Sequence, residues 1–141
     1  MNSPNISFFF EDTNHLTLEE ELLSKWLKKV IDLEDQKLTH LNYIFCSDEY
    51  LLKINVEYLD HDYYTDIITF DNSDTPNSIE GDLFISIDRV KDNANTQGLT
   101  FQSELNRVMV HGLLHLIGYK DKSESEQIEM RGKEDHYLAL V

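Results

Sequence analysis

VMVHGLLHLIGYKDK, residues Val108 to Lys122, is apolar from Val108 to Ile117 except at His111, Gly112 and His115. An apolar run with a helical period on every side marks a helix buried in a core. Two imidazoles inside it need partners, because a buried polar group left unpaired costs about 1–3 kcal/mol. Four residues apart, both rings project from one helix face, one turn separated. For a lone histidine a hydrogen-bonded core residue is the ordinary explanation. For a pair at this spacing, a shared divalent ion stands beside it as the alternative. Gly118 can then end the helix and let the chain fold back, offering Asp121 as a third ligand. Two histidines and a carboxylate leave one position for water, as in a catalytic zinc site. A structural zinc would more often draw on cysteines, and Cys46 is the only one.

Working outward, Thr100 caps this helix over Phe101–Ile117, and Ser123 with Glu126 forms a capping box for a last helix toward Tyr137. Upstream, Ile6–Phe10 and His40–Cys46 read as strands, as do about Thr65–Phe70 and Asp82–Ile87, with a polar loop from Asp71 to Gly81 between the last two. Helices are expected over Leu18–Val30 (capped by Thr17), over Asp48–Tyr58 (burying Leu51, Leu52, Ile54 and Tyr58) and over Asp88–Gln97, ending at Gly98. The expected class is α+β: a small mixed four-stranded sheet covered by helices, with the metal site on a helix of the carboxy-terminal half and the turn after it.

The chain has 141 residues, 40% hydrophobic, without repeats or a Pro/Gly-rich linker, so residues 1–141 are expected to form one domain. The single cysteine excludes an internal disulfide framework and predicts no disulfide-linked partner. No apolar run approaches the roughly 20 residues of a membrane span. The opening MNSPNISFFFED lacks the basic start of a secretory signal, and a cytoplasmic protein is expected. Twelve basic residues against 27 acidic ones give a net charge of −15, which disfavours non-specific binding to nucleic acid or anionic membrane.

The histidine frame overlaps the metzincin protease pattern H-E-x-x-H-x-x-G-x-x-H. Gly112 stands where those enzymes carry the glutamate that takes the proton from water, so a proteolytic reading loses its base. Gly112 also costs the helix about 1 kcal/mol against alanine, which suggests a close approach by neighbouring backbone.

HGLLHLIGY, with Glu104 before it and Glu126 and Met130 after it, resembles the signature of the YbeY family of ribosomal RNA maturation factors. YTDIITF at Tyr64–Phe70 and EGDLFIS at Glu80–Ser86 resemble two further family blocks, and Asn55 and Tyr58 precede them in the expected order. The resemblance implies a single-strand-selective endoribonuclease with one Zn²⁺ per chain. It further implies a role in small-subunit rRNA 3′-end maturation and ribosome quality control, with ribosomal RNA, the small subunit and a ribosomal protein as partners. The metal ligands would be His111, His115 and Asp121, and no general base is visible beyond water on the metal.

Two departures stand out. The family's G-Y-D-H reads Gly118-Tyr119-Lys120-Asp121 here, so the third ligand becomes an aspartate. Otherwise the turn slides by one and the ligand is lost or comes from Glu124. Leu59 occupies a position where many members place an arginine; Arg107, Lys120 and Lys122 are the cations available to phosphate instead, Arg107 and Lys120 foremost. His61, Tyr63 and Tyr64 lie in the loop before the third strand, as RNA contacts or as ordinary loop residues. The rival functional class is a catalytically weak or inactive ribosome-assembly binding factor whose metal is structural or absent.

Overall fold

The computed structural model describes residues 5–14 and 16–141; His15 and the first four residues of the opening stretch lie outside them. Among the described residues four strands and five helices follow in the order β1 (Ile6–Glu11), α1 (Glu20–Leu33), β2 (Lys37–Cys46), α2 (Asp48–Leu59), β3 (Ile67–Asp71), β4 (Ser78–Ser86), α3 (Ile87–Gln97), α4 (Phe101–Ile117) and α5 (Glu124–Leu138). The sheet runs β1-β2-β4-β3. β1, β2 and β4 are parallel, and β3 closes one edge antiparallel to β4. The mixed sheet and its helical cover are as the sequence predicts.

Alternation along the strands divides the apolar side chains between two faces. Leu41, Tyr43 and Phe45 of β2 and Leu83 and Ile85 of β4 are fully buried on one face, beneath the helices. Leu27, Val30 and Ile31 of α1 and Leu105, Met109 and Leu113 of α4 pack into the same core. Each such burial contributes about 1.5–3 kcal/mol. The Tyr43 hydroxyl donates to the Met109 carbonyl at 2.8 Å and pins α4 to the sheet. On the opposite face α2 covers a smaller cluster of Cys46, Leu51 and Ile68. Cys46 is buried, and burial with nearby carboxylates pushes its thiol up to about 12.

Several expected boundaries move. Glu19, not Thr17, occupies the α1 cap and makes no side-chain cap bond. Leu22 is exposed; the buried stripe instead adds Ile31. β4 begins at Ser78, so the last four residues of the expected Asp71–Gly81 loop are strand, and Ile87 belongs to α3. In α2, Tyr58 is exposed and Asn55 is buried, because the helix turns only its Leu51–Asn55 side to the sheet. By contrast Ser47, Ser86, Thr100 and Ser123 all cap through their hydroxyls, the last within a complete capping box.

Two glycines let α4 lie close on β3 and β4. A Cβ on Gly112 would sit 2.5 Å from both Ile67 Cδ1 and Leu83 Cδ2, so the close neighbours are side chains of the sheet and not backbone. A Cβ on Gly81 would sit 2.7 Å from the Phe70 carbonyl and 3.0 Å from Leu116. Side-chain ends can swing aside and alanine favours a helix by about 1 kcal/mol; a paired strand carbonyl cannot swing. Gly81→Ala is therefore expected to cost about 1–3 kcal/mol in urea denaturation, and Gly112→Ala less. The reverse ranking would mean that the α4–sheet contact is the tighter one.

Candidate metal centre

α4 ends at Gly118, whose φ of 126° suits a residue without Cβ, and whose amide returns to the Leu114 and His115 carbonyls. The chain then doubles back and brings Asp121 to the two rings. His111 Nε2 and His115 Nε2 are 3.0 Å apart, and Asp121 Oδ2 lies 3.2 Å from the second and 3.4 Å from the first. Zinc bonds of about 2.0–2.1 Å in a tetrahedral shell separate ligand atoms by about 3.3 Å. The triangle matches that size. His111, His115 and Asp121 are the metal-capable group found among the described residues, and Glu124 is not in it.

The outer nitrogens settle what the inner ones offer. His115 Nδ1 is 2.9 Å from the Tyr119 carbonyl, which only accepts, so this nitrogen donates. His111 Nδ1 is 2.6 Å from Glu134 Oε2 and donates to that carboxylate. A neutral ring with Nδ1 protonated presents a lone pair at Nε2. With both rings neutral, two lone pairs and a carboxylate oxygen face one another. A cation satisfies that arrangement, and donation from each ring to an outer acceptor is the usual support of histidine ligands.

Glu134 is 5% exposed and also receives Arg107 Nη1 at 2.6 Å; Arg107 Nη2 donates to Asp135 at 2.8 Å. Burial alone would raise the Glu134 carboxyl, but His111 and Arg107 hold it below the usual glutamate range. For His111, burial disfavours the charged ring, and Glu134 followed by Asp121 and Asp66 outweigh it, so its pKa is raised. A second brace holds the turn. Glu34, at the end of α1, accepts from the Tyr119 hydroxyl at 2.6 Å, from Lys133 at 3.1 Å and from the Tyr137 hydroxyl. Tyr119 is thereby fixed at its side chain by α1 while its carbonyl orients His115.

A cleft of about 340 Å³ opens on the three candidate ligands. Its other walls are β3 and the α2–β3 loop, including Leu59, His61, Tyr63 and Asp66. Burial raises the Asp66 carboxyl, with nearby His111 opposing it. Of the cations singled out in the sequence, Arg107 is held by Glu134 and Asp135. Lys120 is exposed in a neighbouring hollow beside Glu126 and Glu129. Tyr64 donates to Glu49 and lies under Arg89, away from the cleft.

Sequence reasoning missed Glu134, Glu34 and Asp66 as parts of this site. Glu134 carried a signal: with Met130 and Tyr137 it completes the buried stripe of α5, an acid on an otherwise apolar face. Glu34 had none, since its three donors come from 85 to 103 residues away.

The family model described as Endoribonuclease YbeY matches residues 8–141. The Endoribonuclease YbeY of Cytophaga hutchinsonii is 56% identical over 140 residues, covering 99% of this chain and 98% of that one. The Christiangramia forsetii protein of the same name is 47% identical, covering 99% and 96%. Among solved structures, the solution structure of TM1509 from Thermotoga maritima superposes with a TM-score of 0.69 at 26% identity, covering 94% of this chain and 86% of that one. No helix among the described residues is long and apolar enough to cross a membrane. Sequence and fold agree along nearly the whole length, and the chain belongs to the endoribonuclease YbeY family.

Proposed function

We propose that this endoribonuclease, as one domain over residues 1–141, cuts single-stranded RNA with one zinc ion held by His111, His115 and Asp121. It acts in the cytoplasm, in 3′-end maturation of small-subunit rRNA and in ribosome quality control, on RNA presented by the small subunit and a ribosomal protein. The observation that carries the reading is the triangle of three acceptor atoms, each edge 3.0–3.4 Å, with both outer ring nitrogens already donating. When bound, the ion supplies Lewis-acid polarisation of a phosphoryl oxygen and acidifies water.

The chain's own residues do the rest. Glu134 and the Tyr119 carbonyl fix the ring tautomers so that both Nε2 atoms face inward. Asp121 contributes a negative charge that lowers the net charge of the centre. Arg107 is taken up by Glu134 and Asp135, while Lys120, next to Asp121 and without an ion pair among the described residues, is a cation able to reach a phosphate. A surface of net charge −15 repels free polyanion, which supports delivery of the RNA by a basic partner.

Metal analysis of freshly purified protein, with cleavage of matched single-stranded and duplex RNA before and after chelation, tests the reading. About one zinc per chain is expected, with cleavage of the single strand that chelation abolishes and zinc restores. Full-rate cleavage by metal-free protein would overturn it.

A further inference from the structure

No lysine or arginine lines the cleft bounded by β3 and the α2–β3 loop; Arg107 is held by two carboxylates, and Arg131 lies in the hollow on the α5 side of His111 and Asp121. Phosphate attraction, the usual source of affinity for nucleic acid, is therefore weak within this cleft. The α2–β3 loop presents something else. Tyr63 and His61 lie with ring centroids 5.2 Å apart and planes within 21°, and the Tyr63 hydroxyl meets His61 Nδ1 at 3.0 Å. Together they form a two-ring shelf on the cleft wall, with Tyr63 56% exposed.

The shelf is built into the fold. Asp60 takes the left-handed conformation at the end of α2, φ 55°, and turns the chain sharply. The Asn55 carbonyl receives the amides of Asp60 and His61. The Asn55 side chain, 2% exposed, donates to the Tyr63 carbonyl at 2.9 Å. One buried asparagine thus anchors the backbone of both residues, His61 through its carbonyl and Tyr63 through its side chain. Leu59 adds an apolar flank. An aromatic face binds a nucleobase without needing opposite charge, and it does so only where the base is unstacked.

We propose that Tyr63 and His61 form a base-binding subsite, stacking one unpaired nucleobase of the RNA beside the metal centre and contributing to the choice of single strands. The inference rests on the endoribonuclease reading. In an acidic protein it places base recognition on π-faces and leaves the phosphates to the metal centre and Lys120.

The test has two arms. In the first, steady-state cleavage of a single-stranded oligoribonucleotide is compared for wild type, Tyr63→Ala and Tyr63→Trp. Tyr63→Ala is expected to raise KM about tenfold with a smaller change in kcat and unchanged zinc content, and Tyr63→Trp to restore KM. In the second, anisotropy measures binding of labelled oligonucleotides that carry one abasic position moved along the strand. Wild type should lose affinity at one position, and Tyr63→Ala should lose nothing further there, because the pair is already broken. Equal KM for Tyr63→Ala and wild type, or independent losses from the abasic site and the substitution, would overturn the subsite. Binding is read without cleavage, so a protein that cuts no RNA would refute the endoribonuclease reading while the second arm still decided the shelf.

Discussion

His115→Ala is expected to leave the protein folded, nearly free of zinc, and inactive on RNA. The ring contributes one edge-sharing atom of the triangle, 3.0 Å from His111 Nε2 and 3.2 Å from Asp121 Oδ2. Removing it leaves His111 on α4 and Asp121 in the turn after it, too few ligands to hold a catalytic zinc against water. Loss of an outer partner of a ligand typically costs about 10–100-fold in metal affinity or activity, and loss of the ligand itself should exceed that. The fold should tolerate the change. His115 is about a quarter exposed, and its one bond outside the centre is to the Tyr119 carbonyl, which Glu34 still positions through the tyrosine ring. Metal content, circular dichroism and cleavage rate, measured on one preparation, separate the possibilities. Zinc retained at wild-type level would show that His115 is no ligand. Cleavage persisting in metal-free variant would identify a contaminating nuclease. Zinc bound by wild type without metal-dependent cleavage would favour an assembly factor with a structural ion.

What was legible in the sequence was what neighbouring residues decide among themselves. α4 is bounded as expected because Thr100 and Gly118 act on the amides and carbonyls of their own turns. The i, i+4 spacing of His111 and His115 is likewise a local fact, and it survives folding as a 4.5 Å ring separation. β4 was half hidden, since Ser78, Glu80 and Gly81 look like turn formers. Gly81 is instead the place where a strand passes beneath Leu116 and beside the Phe70 carbonyl. Tyr58 misled for a similar reason: helical period shows which residues share a face, but not that the sheet beneath α2 is reached only by its Leu51 side.

The same division runs through the site. Inner ligands come from an eleven-residue span, His111 to Asp121, and can be read as a motif. The Tyr119 carbonyl that orients His115 lies in the same span, but Glu134 of α5 and Glu34 at the end of α1, which fix His111 and Tyr119, become neighbours only when those helices dock. Arg107 shows the consequence. One turn before His111 on a helix, it reads as a cation free for phosphate; docking of α5 places Glu134 and Asp135 against it.

Removing that docked carboxylate gives the second large effect. Glu134→Ala takes away the common acceptor of His111 and Arg107 and leaves a guanidinium and an imidazole N–H without their partner in a site where Glu134 was 5% exposed. Breaking a buried pair from one side typically costs about 3–5 kcal/mol, and loss of the outer partner should weaken zinc binding by about 10–100-fold. Glu134→Gln keeps the shape and one acceptor and should cost less on both counts. The pH dependence of the metal-free protein gives the expected sign. His111 has a raised pKa in the fold, so its contribution is complete below about pH 6.5, the unfolded value, and is lost as pH rises through the folded one. Glu134 has a lowered pKa, so its contribution is complete above about pH 4.5 and is lost as pH falls through the folded value. The stability gap between wild type and Glu134→Gln in denaturant should therefore be widest between about pH 4.5 and 6.5. It should narrow toward pH 9, where only the pairs with Arg107 and Arg131 remain. Zinc inverts the upper limb, because a neutral His111 is the form that binds it. A gap that is flat with pH in metal-free protein would remove Glu134 as the partner of His111.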